Sequence, residues 1–280
     1  MYSFELNKEI AHFLAEDIGN GDHTTLATIP SDAIGKAQLL IKENGIIAGV
    51  ELAEKIFKYL DPNFKISVFI NDGAKINKGD IAFEVEGNIQ KILQAERLVL
   101  NCMQRMSGIA TYTHYLNSKL QGLHTKLLDT RKTTPGFRFF EKWAVKIGGG
   151  ENHRFGLYDM ILIKDNHIDF SGGIKPAIQK TKSYLKENNL NLKIEVEART
   201  IQDVIEILDE GGIHRIMLDN FTPEKLKEAI NLINKKYETE ASGGITENTI
   251  RAYAESGVDF ISVGALTHQI KSLDLSLKAI

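Results

Sequence analysis

The chain has 280 residues, 42% hydrophobic and 25% charged, with 23 Gly against 5 Pro; this length allows one large barrel or two ordinary domains, and the composition excludes collagen-like and disordered chains. The 37 acidic against 34 basic side chains leave a net charge of −3, which disfavours a nucleic-acid partner and makes any anion site a local one. A single cysteine, Cys102, can make no internal disulfide and no Cys-rich zinc site, and neither a signal peptide nor an apolar run of the ~20 residues that cross a bilayer is visible, so a cytoplasmic protein without a membrane partner is expected.

From Lys36 to about Asn88 short alternating strands are broken by turns. Asn71-Asp72-Gly73 and Lys78-Gly79-Asp80 separate the apolar sets Ile66, Val68, Ile70 and Ile81, Phe83, Val85, as hairpin strands require. Gln94–Leu120 carries Leu98, Cys102, Met106, Ile109, Tyr112 and Leu116 at helical spacing, which predicts one long helix or a helix pair joining two domains. From Thr125 onward apolar strands alternate with helical segments, the signature of parallel β/α units. The strand cores are Lys126–Asp129, Met160–Ile163, Leu192–Val196, Arg215–Leu218, Glu238–Ala241 and Asp259–Val263. The helical segments include Ile201–Leu208, Pro223–Ile233 and Glu247–Ser256, with Thr200, Thr222 and Thr246 as N-caps and Pro223 at N1.

The strands end in polar groups. In order these are Arg131-Lys132, Lys164, Glu195 with Glu197, Asp219, Ser242-Gly243-Gly244 and Gly264-Ala265. An α/β barrel builds its site at these ends and seats phosphate on glycine turns after the last two strands, although an open doubly wound sheet also collects ligands there.

Residues 131–154 hold six basic and two acidic side chains, a local +4. Lys142 and Lys146 read as a solvated helical face, whereas Arg131 and Lys132 follow a buried strand and point to an anionic substrate. Lys164 fits either a Schiff-base lysine or an ammonium set on an anion. His153 and His167 lack metal-ligand spacing, and a lone loop histidine bonded to backbone is the plainer reading of each. Glu195 and Glu197 share one side of a strand: they fit a glycosidase pair, or the binding of sugar hydroxyls and Mg2+, while ion pairing explains Glu197 equally well. Gly148-Gly149-Gly150 reads as a flexible approach to the site, and Gly172-Gly173 as a turn. The hairpin Asp72–Asp80 looks like a lipoyl- or biotin-carrier turn but is taken as scaffold. Together these features favour group transfer on a phosphorylated sugar.

Ala95-Glu96-Arg97-Leu98, Met106–Thr111, Asp129–Thr133, Asn152-His153-Arg154, Leu157-Tyr158-Asp159, Ile163–His167, Leu218-Asp219-Asn220 and Ala241–Ile245 together resemble the quinolinate phosphoribosyltransferase family, from Glu16-Asp17-Ile18-Gly19 nearly to the C-terminus. Cys102-Met103 and Met106 depart from it only in packing. The resemblance implies an N-terminal open α/β sandwich (1–110, with the linking helix) and an incomplete TIM-like α/β barrel (111–280), with the extreme C-terminus returning to the first domain. It implies a homodimer with shared sites, or a hexamer. Carried over by motif, Arg97 from a neighbouring subunit would join Arg131, His153, Arg154 and Lys164 on quinolinate. Lys132, Glu195, Asp219, Ser242, Gly243, Gly244, Val263, Gly264 and Ala265 would hold phosphoribosyl pyrophosphate. Glu195 and Asp219 would bind Mg2+, and Lys132, Glu195 and Asp219 would be catalytic. The products implied are nicotinate mononucleotide, pyrophosphate and CO2, in NAD biosynthesis. A phosphoribosyltransferase that does not decarboxylate, a non-catalytic anion-binding barrel and a Schiff-base lyase on Lys164 are the competing readings; a monocarboxylate would leave one of Arg97, Arg131 and Arg154 without a counter-charge.

Overall fold

The structure, a computed structural model, describes residues 5–280. In chain order the elements are α1 (Leu6–Ile18), α2 (His23–Thr28), β1 (Ile34–Ile41), β2 (Gly45–Ile46), α3 (Val50–Leu60), β3 (Lys65–Val68), β4 (Lys75–Ile76), β5 (Ile81–Asn88) and α4 (Ile89–Ser118). They continue with β6 (Lys126–Leu128), α5 (Arg138–Ile147), β7 (Ile161–Ile163), α6 (Asp165–Ser171), α7 (Ile174–Glu187), β8 (Ile194–Ala198), α8 (Ile201–Glu210) and β9 (Arg215–Asp219). The last are α9 (Pro223–Ile233), β10 (Glu238–Ser242), α10 (Ile250–Ala254), β11 (Phe260–Ser262), α11 (Ala265–His268) and β12 (Leu275–Ala279).

These elements form two compact units. The first gathers the chain up to His114 with Thr134–Gly149 and His268–Ile280; the second holds Tyr115–Thr133 and Gly150–Thr267. The division therefore differs from a single cut at 110/111, because three kinds of contact draw later segments into the first unit. Buried Glu141 of α5 accepts from Arg105 Nε (3.1 Å) and Nη2 (2.9 Å) and from the Thr134 hydroxyl (2.8 Å). Gly148 lies so close to α4 that a Cβ would stand 2.5 Å from the Ala110 carbonyl oxygen, so this glycine is a packing requirement and not a flexible approach. Strand β12 pairs antiparallel with β1, Leu39 opposite Leu277.

The first unit carries the antiparallel sheet β12-β1-β5-β3. Pairing of Ile66 with Val85 and Val68 with Phe83 follows from the alternation of both strands. Phe57 of α3 meets Phe64 and Phe83 edge-on, with ring centres 5.5 and 6.1 Å apart, contacts worth about 0.5–1.5 kcal/mol each beyond their buried area. Helix α5 buries Phe140, Glu141, Lys142, Ala144 and Val145. Lys142 is only 2% exposed and does not belong to a solvated face; Lys146 is exposed.

The second unit is built on the all-parallel sheet β6-β11-β10-β9-β8-β7. Its outer strands, β6 and β7, share no ladder among the described residues, which makes the barrel incomplete. All six strands lie within two residues of the sequence reading. Thr200 and Thr222 accept backbone N–H bonds as N-caps, each worth about 1 kcal/mol. Thr246 does not cap: its own N–H goes to Thr249 Oγ1 (3.0 Å), and α10 starts only at Ile250.

Candidate active site

One end of the parallel sheet collects charge in a fixed register. Ile163 pairs with Val196 and Asp219 with Ser242, so Lys164 and Glu197, each one residue further on, emerge side by side. Lys164 Nζ lies 3.5 Å from Glu197 Oε2. Burial raises the Glu197 carboxyl above the ordinary range; Lys164 opposes the shift, and the charges of Asp219 and Asp165 add to it. Asp219 is raised for the same reasons, with hydrogen bonds from Asn220 and Ser242 working against the rise. Three acids around one lysine form an electronegative centre. Asn220, held at φ 57°, donates its N–H to the Ser242 carbonyl (2.8 Å) and its Nδ2 to Asp219 Oδ2 (2.5 Å). A Cβ at Gly243 would fall 2.2 Å from Asn220 Oδ1, and Gly243 has φ +95°, so only glycine fits where these two strand ends meet.

The cations lie on the segments after β6 and before β7. Arg131 and Lys132 follow β6, and the Lys132 carbonyl accepts the Thr267 hydroxyl (2.8 Å), which also reaches the Gly264 carbonyl (3.2 Å). Lys132 is thereby joined to the Val263-Gly264-Ala265 turn. Asp129, fully buried, accepts from the His153 N–H (2.8 Å) and Asn152 Nδ2 (2.6 Å). Burial and the neighbouring Arg131 charge both lower the pKa of Arg154, while Glu195 and Asp159 oppose them. Two guanidiniums held that close call for an anion.

Beneath this mouth lies a sealed layer. Glu195 and Glu240 are 0% exposed and His153 is 8% exposed. His153 Nε2 stands 3.0 Å from Glu195 Oε2 and 3.3 Å from Glu240 Oε2, and Arg215 Nη1 lies 3.1 Å from Glu240 Oε2. Burial works against the imidazolium, but Glu195 and Glu240 outweigh it and push His153 up to about 9. Against that, the Arg154 N–H points at Nδ1 from 2.7 Å, which requires that nitrogen to be bare and leaves the ring proton on Nε2. The layer stays neutral with the further proton on Glu195, whose carboxyl is raised by burial and by the charge of Glu240. The ligand atoms of His153, Glu195 and Glu240 lie within 4.8 Å of one another, close enough for a metal ion; Arg215 already supplies the positive charge there.

The residues expected at the site thus divide. Arg131, Lys132, Arg154, Lys164, Asp219, Ser242, Gly243, Gly244, Val263, Gly264 and Ala265 lie on the strand-end segments of the second unit. Glu195 is enclosed below them, and Glu197 is the carboxylate beside Lys164 and Asp219. The reason is that β8 runs on to Ala198, two residues past the predicted end at Val196, so its last inward acid is Glu197. His153 Nδ1 accepts the Arg154 N–H, while Nε2 stands within 3.3 Å of the Glu195 and Glu240 carboxyls, and His167 Nδ1 accepts the Lys164 N–H (3.0 Å). Arg97 is exposed on α4 in the first unit, lining a cavity of about 350 Å³ with Phe13, Glu16, Asp17, Arg105 and Phe137. Sequence reasoning missed Glu240, Arg215, Asp129 and Thr267; the alternation Glu238, Glu240, Ser242 was the available signal for the first.

An α/β barrel with clustered guanidiniums, a carboxylate pair and glycine turns at its strand ends defines a class of enzyme that handles polyanionic, phosphate-bearing substrates. The family model for the quinolinate phosphoribosyl transferase C-terminal domain matches residues 109–278, and that for the N-terminal domain matches residues 22–107. The chain belongs to the quinolinate phosphoribosyltransferase family. It is 47% identical over 291 aligned residues to a tobacco (Nicotiana tabacum) quinolinate phosphoribosyltransferase [decarboxylating] named as mitochondrial, covering 99% of this chain and 82% of that protein. It is 41% identical to the probable nicotinate-nucleotide pyrophosphorylase [carboxylating] of Bacillus subtilis, covering 99% and 94%. The solved structure of NadC from Streptococcus pyogenes superposes with a TM-score of 0.92 at 34% identity, covering 100% of both chains.

Proposed function

We propose that the protein transfers the phosphoribosyl group of phosphoribosyl pyrophosphate to the ring nitrogen of quinolinate, yielding nicotinate mononucleotide, pyrophosphate and CO2 for NAD biosynthesis. The observation that carries this reading is the mouth itself: the neighbouring guanidiniums Arg131 and Arg154 share one end of the sheet with the Lys164, Glu197 and Asp219 cluster.

Arg131 and Arg154 offer planar forks to the two carboxylates of quinolinate, with Lys164 as a third positive group, and so hold the ring in register for attack at C1′. Lys132 and the backbone N–H groups around Ser242-Gly243-Gly244 and Val263-Gly264-Ala265 receive the phosphates. Glu197 and Asp219 offset the positive charge that develops on the ribose. Two partly desolvated carboxylates, each raised by burial and by the charge of Asp165, fit a hard divalent cation. Mg2+ held by Glu197 and Asp219 would supply charge neutralisation to the pyrophosphate. Ribosylation makes the ring cationic, and a pyridinium stabilises the carbanion left at C2 when CO2 departs, so the chain needs only to grip the substrate. The active assembly is a homodimer in which Arg97 of the partner subunit completes each mouth. The single buried thiol and the lack of any helix long and apolar enough to cross a membrane, among the described residues, support a cytoplasmic enzyme.

The test is incubation with quinolinate, phosphoribosyl pyrophosphate and Mg2+, with nicotinate mononucleotide read by mass spectrometry and CO2 from a label at the C2 carboxyl. Equal turnover of nicotinate in place of quinolinate, or the absence of product, would overturn the reading.

A further inference from the structure

We propose that Thr267 is a positioning residue for phosphoribosyl pyrophosphate: its hydroxyl fixes the backbone from which the Lys132 side chain reaches the phosphates. The inference rests on the reading of Lys132 and the glycine turns as phosphate-binding groups. Lys132 is exposed, on a segment, residues 129–134, that forms neither helix nor strand. Strand β6 has already ended at Leu128, whose carbonyl accepts the Val263 N–H at 3.0 Å. A lysine rooted in loose backbone binds an anion poorly, because the disorder of the chain adds to the rotamer freedom of its four-carbon stem.

Both backbone polar groups of Lys132 are nevertheless bonded. Its N–H donates to Thr130 Oγ1 at 3.1 Å, inside the same segment, and its carbonyl accepts the Thr267 hydroxyl at 2.8 Å, from 135 residues away in the chain. Thr267 is 0% exposed, so its hydroxyl is shielded from water and its proton belongs to a protein acceptor. The Gly264 carbonyl is also in reach, at 3.2 Å. The turn does not depend on that second contact, since the Thr267 N–H reaches the same Gly264 carbonyl at 3.1 Å and the Leu266 N–H reaches the Val263 carbonyl at 3.3 Å. The turn closes through its own backbone, and the hydroxyl is left to hold Lys132. Thr267 thereby sets the separation between Lys132 and the Val263-Gly264-Ala265 turn. Phosphoribosyl pyrophosphate carries phosphates at both ends of one ribose and needs two grips at a fixed distance, whereas quinolinate carries none.

Steady-state kinetics on the intact enzyme with Mg2+, read by release of labelled CO2, compare Thr267→Val, Thr267→Ser, Lys132→Ala and the double variant of Thr267→Val with Lys132→Ala. Valine keeps the shape of threonine and removes the hydroxyl; serine keeps the hydroxyl. Thr267→Val is expected to lower kcat/KM for phosphoribosyl pyrophosphate about ten-fold while the quinolinate KM stays within about two-fold, and Thr267→Ser is expected to remain within about two-fold of the unsubstituted enzyme on both measures. In the Lys132→Ala background the loss of the hydroxyl is expected to cost less than about two-fold, because the residue it acts through is gone. An unchanged kcat/KM in Thr267→Val, an equal rise in KM for both substrates, a serine variant as impaired as valine, or additive losses in the double variant would overturn the proposal. A Lys132→Ala variant with an unchanged kcat/KM for phosphoribosyl pyrophosphate would instead overturn the underlying reading. If Thr267→Val fails to fold by thermal melting, Thr267→Ala takes its place with the same expected and overturning results.

Discussion

The mouth of the parallel sheet and the layer beneath it are built from the same materials and behave differently. Each has carboxylates facing basic side chains, and β8 supplies one acid to each: Glu197 to the mouth and Glu195 to the layer, on the same side of the strand and about 7 Å apart along it. Glu197 faces a lysine whose side chain is 48% exposed, in a cluster with acid to spare. Glu195 is fully enclosed and faces a buried histidine at 3.0 Å. Depth along one strand, and not residue type, separates a group available for chemistry from one that stiffens the fold.

Substitutions break this comparison in opposite ways. The largest effect is expected in the layer: Arg215→Met leaves the buried Glu240 carboxylate without its guanidinium, and denaturant unfolding should show a loss of about 3–5 kcal/mol. The equivalent change at the mouth, Lys164→Met, should cost less by the same measurement, because the lysine is half exposed and water can take its place beside Glu197. Next comes Glu197→Gln, for which kcat should fall about a hundred-fold with the unfolding midpoint nearly unchanged. Glu195→Gln should do the reverse, moving stability more than kcat, and a matching loss of kcat would show that the layer itself takes part in turnover. Third, Arg131→Ala should raise the quinolinate KM about ten-fold or more with little change for phosphoribosyl pyrophosphate, since one charge-assisted contact to a carboxylate is lost.

The smallest effect sharpens the comparison from the first unit, where a buried group has no counter-charge. Burial pushes the Cys102 thiol from 9.0 up to about 12. Because the folded state holds this proton more tightly than the unfolded chain, the contribution is fully present below pH 9 and is lost as pH rises toward 12. Between pH 8 and pH 10 the protein should therefore lose about 1–2 kcal/mol that a Cys102→Ala variant keeps. Parallel stability curves for the two proteins would mean that the thiol is ionising inside the fold.

Much of the site was legible because strands announce their ends. Arg131, Lys132, Lys164, Asp219 and the Ser242 turn each follow an apolar run that stops abruptly, and Pro223 after Thr222 marks a helix start that only one backbone geometry satisfies. What stayed hidden depends on depth and on partners distant in the chain. Alternation puts Glu195 and Glu197 on one face but cannot say which is covered, and Ala198, a small residue that continues β8, gives no sign that the strand goes on. Lys142 looks solvated by charge alone, yet its helix turns that position inward. The partnership of His153 with Glu240 exists only once β10 is folded beside β9 and β8.

The pairing of β12 with β1 also bears on how the protein is made. Leu275–Ala279 form the edge of the sheet in the first unit, next to a strand that leaves the ribosome some two hundred and thirty residues earlier. During vectorial synthesis β1 can pair with β5 on one side while its other edge, from Ala37 to Ile41, waits for a partner until residue 279 has emerged. The second unit, whose sheet lies wholly between residues 126 and 262, is complete sooner. A nascent chain halted just before residue 275 would therefore carry a finished barrel sheet and an open strand edge, the state in which edge-to-edge association is most favoured.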